Sequence, residues 1–210
     1  MSPTERTSMD AAGRALPIDP ASDRRLARAQ TLRAALGDPD PGVRASASRA
    51  LERIESRSDV EHLVARLADE DKLVRLSAVY GLGSLADPAG LPALVSALRD
   101  PIEDIRAAAV RTLGDLRDAS VIDAVVESLD DPSSLVRRHA IEALGRIGDR
   151  RAAPVLRTLL SAPDLEIVRE TLRALGACRD AEAEPEIARR LEHPDPSVRA
   201  AAVEALGQLD

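Results

Sequence analysis

The chain has 210 residues and a formal net charge of −7, and Tyr80 is its one aromatic residue, since Phe and Trp are absent. Globular cores normally take much of their buried area from aromatic side chains, so this chain has to bury Leu, Val, Ile and Ala in many similar layers. Its Ala and Leu content favours helix, and strand-forming residues are too sparse for a large sheet. The negative charge argues against nucleic-acid binding, where affinity comes mostly from Lys and Arg.

Hydropathy and cysteine content bear on the location of the protein. The sequence has no run of about 18 apolar residues for a membrane span and no apolar signal segment near Met1. Cys178 is the only cysteine, so an internal disulfide is excluded. We therefore expect a cytoplasmic protein that is not inserted in a membrane.

The first segment of the chain, residues 1–22, is rich in Ser, Pro, Thr, Asp and Gly and has no sustained hydrophobic period. Such a segment cannot bury enough apolar surface to fold alone, so we predict a flexible tail. The first helix is expected to begin near Ser22–Asp23. Residues 23–210 form the second, repetitive region of the chain.

A period of 31 residues aligns this region as six repeats without a gap. The repeats span about residues 26–56, 57–87, 88–118, 119–149, 150–180 and 181–210. One column holds leucine in every repeat: Leu36, Leu67, Leu98, Leu129, Leu160 and Leu191. A second column is equally uniform: Leu51, Leu82, Leu113, Leu144, Leu175 and Leu206. This self-similarity predicts a repeat architecture.

Each repeat has the pattern of two helices. Apolar residues such as Val60, Leu63 and Leu67 recur at helical spacing and predict a short first helix. The turn that follows contains Pro in five repeats. The next position is an Asp or Ser in every repeat except the third, where it is Ile102, and it is placed as the N-cap of the second helix. Two such short helices cannot bury their apolar faces alone, so neighbouring repeats must stack. We predict an all-α fold, a right-handed α-solenoid of six helix-turn-helix repeats.

The repeated pattern Asp-Pro-x-x-x-Val-Arg-x-x-Ala-Val-x-Ala-Leu-Gly-x-Leu resembles the HEAT repeat, in the short form called the phycobilisome-lyase HEAT-like repeat. The resemblance covers residues 26–210 and implies a solenoid whose second helices line a concave face. It implies less about function, because the family includes scaffolds, adaptors, bilin lyases, a metal-dependent hydroxylase and DNA glycosylases.

Two charged columns run through the repeats, with each Asp six residues before an Arg. The pairs are Asp38 and Arg44, Asp69 and Arg75, Asp100 and Arg106, and Asp131 and Arg137, and Arg199 continues the arginine column. The resemblance implies that such a ladder ties each inter-helix turn to the following helix and to the next repeat. We interpret these residues as structural struts made of charge-assisted hydrogen bonds. The alternative interpretation is an anion-binding groove.

The fifth repeat interrupts this ladder. Ala162 and Val168 replace the ladder Asp and Arg, and Arg169 is displaced by one position. A shift of one residue turns a helical side chain by about 100°, so Arg169 cannot reproduce the strut. We predict looser stacking or a local change of curvature around residues 160–176.

Candidates for catalytic or metal-binding roles are few. His62, His139 and His193 occupy different columns and share no ligand spacing. The segment around His139 resembles the iron-binding segment of HEAT-repeat deoxyhypusine hydroxylase, but Ala140 stands where the Glu ligand would be. Cys178 falls in a core column and is interpreted as a buried thiol. One tyrosine is too little to line a tetrapyrrole pocket or to stack an extruded base. We predict no catalytic residue, no metal and no cofactor.

The second helix of the second repeat carries an additional apolar stripe. Leu73, Leu76 and Tyr80 are spaced i, i+3 and i+7, on roughly the opposite face from the core stripe. On a concave face, Tyr80 would lie between Arg49 and Arg111. The same row continues as Glu142, Arg173 and Glu204. Tyr flanked by Arg is typical of an interaction hot spot. In the alternative interpretation, the leucines only pack on a neighbouring helix and Tyr80 shields them.

These patterns predict a non-catalytic scaffold or adaptor that binds a partner protein or peptide in the concave groove, alone or as a subunit of a larger complex. The alternative is a bilin-lyase-like or cofactor-handling accessory protein. The two hypotheses differ in one simple property, because a bound chromophore would give the purified protein visible absorbance.

Overall fold

The structure is a computed structural model that describes residues 20–209. Over this range the chain forms eleven α-helices and no strand. In chain order they are α1 Pro20–Ala35, α2 Pro41–Arg66, α3 Lys72–Leu85, α4 Leu91–Ala97, α5 Glu103–Leu116, α6 Ile122–Glu127, α7 Ser134–Ile147, α8 Ala153–Leu159, α9 Leu165–Ala177, α10 Glu184–Arg189 and α11 Pro196–Leu206. Short 3-10 turns flank the first helices of the later repeats, at Pro88–Gly90, Ala119–Val121, Ser128–Asp130, Arg150–Ala152, Ala181–Ala183 and Arg190–Glu192. The predicted fold class, an all-α solenoid of helix pairs, is confirmed.

The start of the helical region differs slightly from the prediction. α1 begins at Pro20, just before the start expected near Ser22–Asp23. The rest of the predicted flexible tail, residues 1–19, lies outside the described residues. Across residues 20–209, no helix combines the length and the apolar character needed to cross a membrane.

The chain divides into two compact parts, the first ending at Ser58 and the second beginning at Asp59. α2 is longer than predicted, because the second helix of the first repeat and the first helix of the second repeat form one helix of 26 residues. In the next three repeats this junction has an Asp whose carboxylate accepts a backbone N–H: Asp87, Asp118 and Asp149. The matching position is Ser56, and residues 50–66 contain neither Gly nor Pro, so no helix-breaking residue interrupts α2.

The core of the part that begins at Asp59 is a stack of second helices, in which α3, α5, α7, α9 and α11 pack one against the next. The second leucine column forms its centre, and four members are fully or almost fully buried: Leu82, Leu113, Leu144 and Leu175. A column from the first helices completes the layers: Leu94, Val125, Leu156 and Ile187. The uniform columns of the sequence are therefore the repeating layers of one continuous core.

Neighbouring second helices approach each other closely at a column of glycines. A Cβ atom placed on Gly114 would lie 2.7 Å from Cα of Ala143, and one placed on Gly176 would lie 2.8 Å from Cα of Ala205. Both distances are shorter than real Cβ atoms make with backbone atoms. The separation of the helix backbones therefore requires glycine at these positions.

Candidate partner-binding surface

Two arginines of the charged ladder, Arg75 and Arg106, each bind two repeats at once. Arg75 Nη1 donates to the carbonyl oxygens of Asp69 and Glu70, at 2.8 and 3.0 Å, in the turn of its own repeat. Its Nε and Nη2 donate to the carboxylate of Asp100 in the next repeat, at 2.8 and 3.2 Å. The same carboxylate accepts the backbone N–H of Ile102 at 2.9 Å, so one arginine and one aspartate hold two turns together.

Arg106 repeats this arrangement one layer further along the chain. Its Nη1 donates to the carbonyl oxygens of Asp100 and Pro101, and its Nε and Nη2 donate to the Asp131 carboxylate at 2.8 and 3.0 Å. Asp131 Oδ1 also accepts the backbone N–H of Ser133 at 2.8 Å. The hydrogen bond from Arg106 holds the pKa of Asp131 below its usual value. Both side chains are largely buried, at 13% and 9% exposed, so the pair is poorly screened by solvent.

Among residues 20–209, the first and last arginines of the column make side-chain hydrogen bonds within their own repeats. Arg44 Nη1 donates to the carbonyl oxygens of Asp38 and Pro39, at 2.8 and 2.9 Å. Arg199 Nη1 donates in the same way to the carbonyl oxygen of His193, at 2.8 Å. These residues therefore tie the inter-helix turn to the second helix of their own repeat.

The bond between repeats that Arg75 and Arg106 make is not continued by Arg137. Arg137 Nη1 keeps its bonds to the carbonyl oxygens of Asp131 and Pro132, at 2.7 and 3.0 Å. Within residues 20–209, no carboxylate lies within ion-pairing distance of Arg137, and Ala162 stands where the earlier repeats carry the accepting Asp. Arg169, the displaced arginine, pairs with Glu166 on its own helix. The fifth repeat is joined to the sixth by another residue, because Arg190 Nη2 donates to the carbonyl oxygen of Leu160 at 2.9 Å.

The predicted apolar stripe on α3 is partly open to solvent. Leu73 is 64% exposed and Tyr80 is 43% exposed, whereas Leu76 is half-buried and packs against the core. The Arg111 guanidinium of α5 lies over the Tyr80 ring, 5.5 Å from its centroid, in the range of a cation–π interaction. We call Leu73, Leu76, Tyr80 and Arg111 the Tyr80 surface.

A cavity of about 260 Å³ adjoins this surface. Leu76, Tyr80 and Arg111 line it together with Leu135 and His139, which reach it from α7. Sequence reasoning did not assign these two α7 residues to the site. Leu135 occupies the same repeat position as Leu73, so the repeat alignment already placed it on the same face as the apolar stripe. His139 was considered only as a metal ligand.

The other residues of the predicted row have partners of their own. Glu142 Oε2 lies 3.3 Å from His139 Nδ1 and 3.8 Å from Arg146 Nη2. Arg173 Nη1 donates to Glu170 Oε1 at 2.6 Å, and its Nε lies 3.6 Å from Glu204 Oε2. Neither Glu142 nor Arg173 lines the cavity beside Tyr80.

Arg49 was predicted to flank Tyr80 from the opposite side to Arg111. It lies on α2 in the part of the chain that ends at Ser58, where its Nη2 donates to Ser46 Oγ at 3.4 Å. Its place beside Tyr80 stays a prediction.

Residues 20–209 contain no group of three or more His, Cys, Asp or Glu side chains that is arranged to hold a metal ion. Cys178 is 1% exposed, and its Sγ faces the carbonyl oxygen of Leu144 at 4.0 Å. Burial raises the pKa of the Cys178 thiol to about 11. A thiol of this kind is protonated and inaccessible under ordinary conditions, which suits a core position.

We expect the Cys178 thiol to react with Ellman's reagent far more slowly in the folded protein than in the unfolded chain. The thiolate is the reactive species, and burial both raises its pKa and blocks access. The measurement is the release of the coloured thiolate with and without denaturant. Equal rates in both conditions would show that Cys178 is open to solvent.

Comparisons with known proteins place the fold. The sequence matches a family described as HEAT repeats, over residues 11–83, 29–105, 60–134, 91–175 and 158–210. The complex of CpcE and CpcF of phycocyanin lyase from Nostoc sp. PCC7120 is similar, with 31% identity and a TM-score of 0.64. That similarity covers 71% of this chain and 64% of that chain, so the match spans less than two thirds of the relative's length.

Two further solved structures show the fold alone. A designed armadillo repeat protein in complex with the peptide (KR)4 has 21% identity and a TM-score of 0.57, over 87% of this chain and 99% of that chain. YibA of E. coli has 18% identity and a TM-score of 0.57, over 92% of this chain and 76% of that chain. No curated protein matches the sequence.

Proposed function

This chain belongs to the HEAT-repeat family, and we propose that it is a non-catalytic scaffold or adaptor whose Tyr80 surface binds a segment of another protein. Solenoids of stacked helix pairs expose one extended face, on which successive repeats present side chains in register. Such a face recognises a partner by a few anchoring side chains and needs no catalytic group. In this role the protein acts alone or as one subunit of a larger complex.

The observation that carries this proposal is the exposure of Tyr80. It is the only aromatic side chain of the protein, and 43% of it remains open to solvent. Aromatic side chains bury large areas on binding and lose little conformational entropy, so an exposed one beside a cavity favours an interaction site. Leu73 on the same face is 64% exposed, which leaves apolar surface that folding has not buried.

Arg111 gives this site a polar component. Its guanidinium rests over the Tyr80 ring, which limits its freedom before any partner arrives. An arginine that is already ordered loses less entropy when it donates hydrogen bonds to a partner. The Tyr80 surface therefore combines an apolar anchor with a pre-positioned donor.

Tyr80→Ala is expected to weaken partner binding by about 2 kcal/mol, or about 30-fold in Kd, as for an aromatic hot-spot residue. The partner is first recovered by tagged co-purification from the native cell, and its affinity for both forms is then measured by calorimetry. The core residues of α3, Val79 and Leu82, are untouched by the change, so the melting temperature should stay nearly constant.

Val203→Ala is the matched control. Val203 on α11 is 61% exposed, so the change removes apolar surface of comparable exposure far along the chain from α3. Its affinity should equal that of the wild type. A well-folded Tyr80→Ala protein with unchanged affinity would contradict the proposal and favour the view that Tyr80 only shields the leucines.

A second candidate is a bilin-lyase-like or cofactor-handling accessory role. It is favoured by one observation, the 31% identity to the CpcE and CpcF complex of phycocyanin lyase. Visible absorbance of the purified protein, or its appearance when a free bilin is added, would support this role. A colourless protein whose spectrum does not change with added bilin would contradict this role, and only the scaffold role would remain.

A further inference from the structure

The interruption of the ladder coincides with a cavity of about 400 Å³ between α7 and α9. Arg137 lines this cavity, and so does Ala162, which occupies the ladder-aspartate position of the fifth repeat. In the two preceding layers, the corresponding arginines each hold a carboxylate through Nε and Nη2. Arg137 therefore presents an unused pair of donors to an open cavity.

The earlier repeats show which group fits such donors. Arg106 holds the Asp131 carboxylate with two hydrogen bonds, at 2.8 and 3.0 Å. A planar guanidinium matches a carboxylate in this two-bond geometry, and the match is both strong and directional. At the repeat position that would complete the same contact for Arg137, the chain carries Ala162, whose side chain has no oxygen.

The charges around the cavity leave it receptive to an anion. Of its acidic lining residues, Glu166 is paired with Arg169, and Asp164 Oδ1 accepts the backbone N–H of Glu166 at 2.9 Å. Arg138 lines the cavity beside Arg137, and within residues 20–209 neither arginine has an ion-pair partner. Among the lining residues, Arg137 and Arg138 are therefore opposed by Asp164 alone, and the Asp131 carboxylate, which also feels the charge of Arg137, is held by Arg106.

We propose that this cavity binds an acidic side chain, Asp or Glu, from a partner polypeptide, with the carboxylate taking the place of the missing ladder aspartate on Arg137. This inference rests on the proposed function, because it adds a second contact for the same partner. Leu135 lines both this cavity and the cavity beside Tyr80, so the two sites are contiguous on α7. Ile141 and Ile167 supply an apolar lining for the stem of the side chain.

The geometry of the neighbouring ladder sites favours a polypeptide over a small free carboxylate as the ligand of this cavity. In each earlier layer, the carboxylate belongs to a turn whose backbone N–H also donates to it, as Ser133 does for Asp131. A partner segment that lies along α7 can bring a carboxylate and an apolar neighbour together. A small free acid would gain only the guanidinium contact, which is weak in water.

The proposal is tested by selecting binders from a displayed library of random peptides on the wild-type protein. Selected peptides are expected to share an Asp or Glu beside an apolar residue. Their affinity should fall by about tenfold or more in Arg137→Gln, since bidentate recognition is lost. Peptides without a shared acidic residue would overturn the proposal.

Ala162→Asp is the sharper variant, because it keeps Arg137 and supplies the missing carboxylate from within the chain. We expect the melting temperature to rise by about 3 °C as the ladder contact forms, and peptide affinity to fall by about tenfold or more. Ala162→Asn is the matched control, since it has nearly the same shape without the charge, and it should retain most of the affinity. An unchanged melting temperature, or equal affinities for Ala162→Asp and wild type, would overturn the proposal.

Two further comparisons separate this inference from the proposed function and from a small-molecule site. Peptides that lose affinity in Tyr80→Ala but not in Ala162→Asp would overturn the acidic contact and leave the proposed function standing. Peptides that lose affinity in Ala162→Asp but not in Tyr80→Ala would overturn the proposed role of Tyr80 and leave the acidic contact standing. Glutarate at millimolar concentration, as a free carboxylate probe, should not displace the peptides. Displacement would assign the cavity to a small acid instead of a polypeptide.

Discussion

Replacing Arg106 with alanine is expected to lower the free energy of unfolding by about 3 kcal/mol, near the low end for breaking a buried ion pair. Arg106 binds two turn carbonyls and the Asp131 carboxylate, so its loss leaves a carboxylate that is 9% exposed without its main partner. The loss lies at the low end of the range for buried ion pairs because the Arg106 side chain keeps some contact with water. Urea unfolding monitored by circular dichroism gives the difference directly.

Arg137→Ala is the matched control for this experiment. Arg137 has the same position in its repeat and the same carbonyl contacts, but it has no carboxylate partner among the described residues. We expect a loss of about 1 kcal/mol, the typical net contribution of an intramolecular hydrogen bond. Equal losses in the two variants would show that the bond between repeats adds nothing to stability.

The same strut should carry a pH dependence of known sign. The Arg106 hydrogen bond lowers the pKa of Asp131 in the folded protein below its ordinary value of 3.8. Its stabilising contribution is therefore complete above that value and is lost as the pH falls through the lowered one. The difference in stability between wild type and Arg106→Ala should accordingly shrink in acid.

Gly114→Ala is expected to destabilise the protein by about 2 kcal/mol, although alanine is the better helix former by about 0.5 to 1 kcal/mol. The added methyl group would lie 2.7 Å from the Cα of Ala143, and a backbone atom cannot rotate away. α5 and α7 would have to separate, which opens voids in the buried layers on both sides. Thermal or urea unfolding measures the loss.

Gly207→Ala serves as the control, because Gly207 belongs to the same column. A Cβ placed there meets only the carbonyl oxygens of Glu204 and Val203, each at 3.6 Å, which is an ordinary contact. With no clash to oppose it, helix propensity should leave the stability unchanged or slightly raised. A destabilisation equal to that of Gly114→Ala would contradict the idea that helix separation sets the need for glycine.

The fold could be predicted from the repeat pattern, because all six repeats have to bury the same apolar positions. A leucine that recurs every 31 residues has to enter the same layer of each repeat, and Leu82, Leu113, Leu144 and Leu175 do so. The long helix α2 was less predictable. Ser56 stands in the column of capping aspartates, and because serine also caps helices, this substitution alone does not predict one continuous helix.

Contacts between repeats were harder to derive from the sequence than contacts within one. Arg44, Arg75 and Arg106 each have an aspartate six residues before them and another 25 residues after them. The spacing alone does not reveal that the guanidinium takes the backbone oxygen of the first and the carboxylate of the second. In the same way, Leu135 and His139 join the cavity beside Tyr80 only because α7 packs on α5.

The central claim, that a partner segment covers Tyr80, is tested most directly by acrylamide quenching of tyrosine fluorescence. The chain has one tyrosine and no tryptophan, so its emission reports on Tyr80 alone. The protein is saturated with the partner segment, chosen or altered to lack Tyr and Trp, and quenching is compared with that of the free chain. We predict a clear fall in the quenching constant, because the 43% of the side chain now open to solvent becomes covered. Unchanged quenching in a saturated complex would contradict the account.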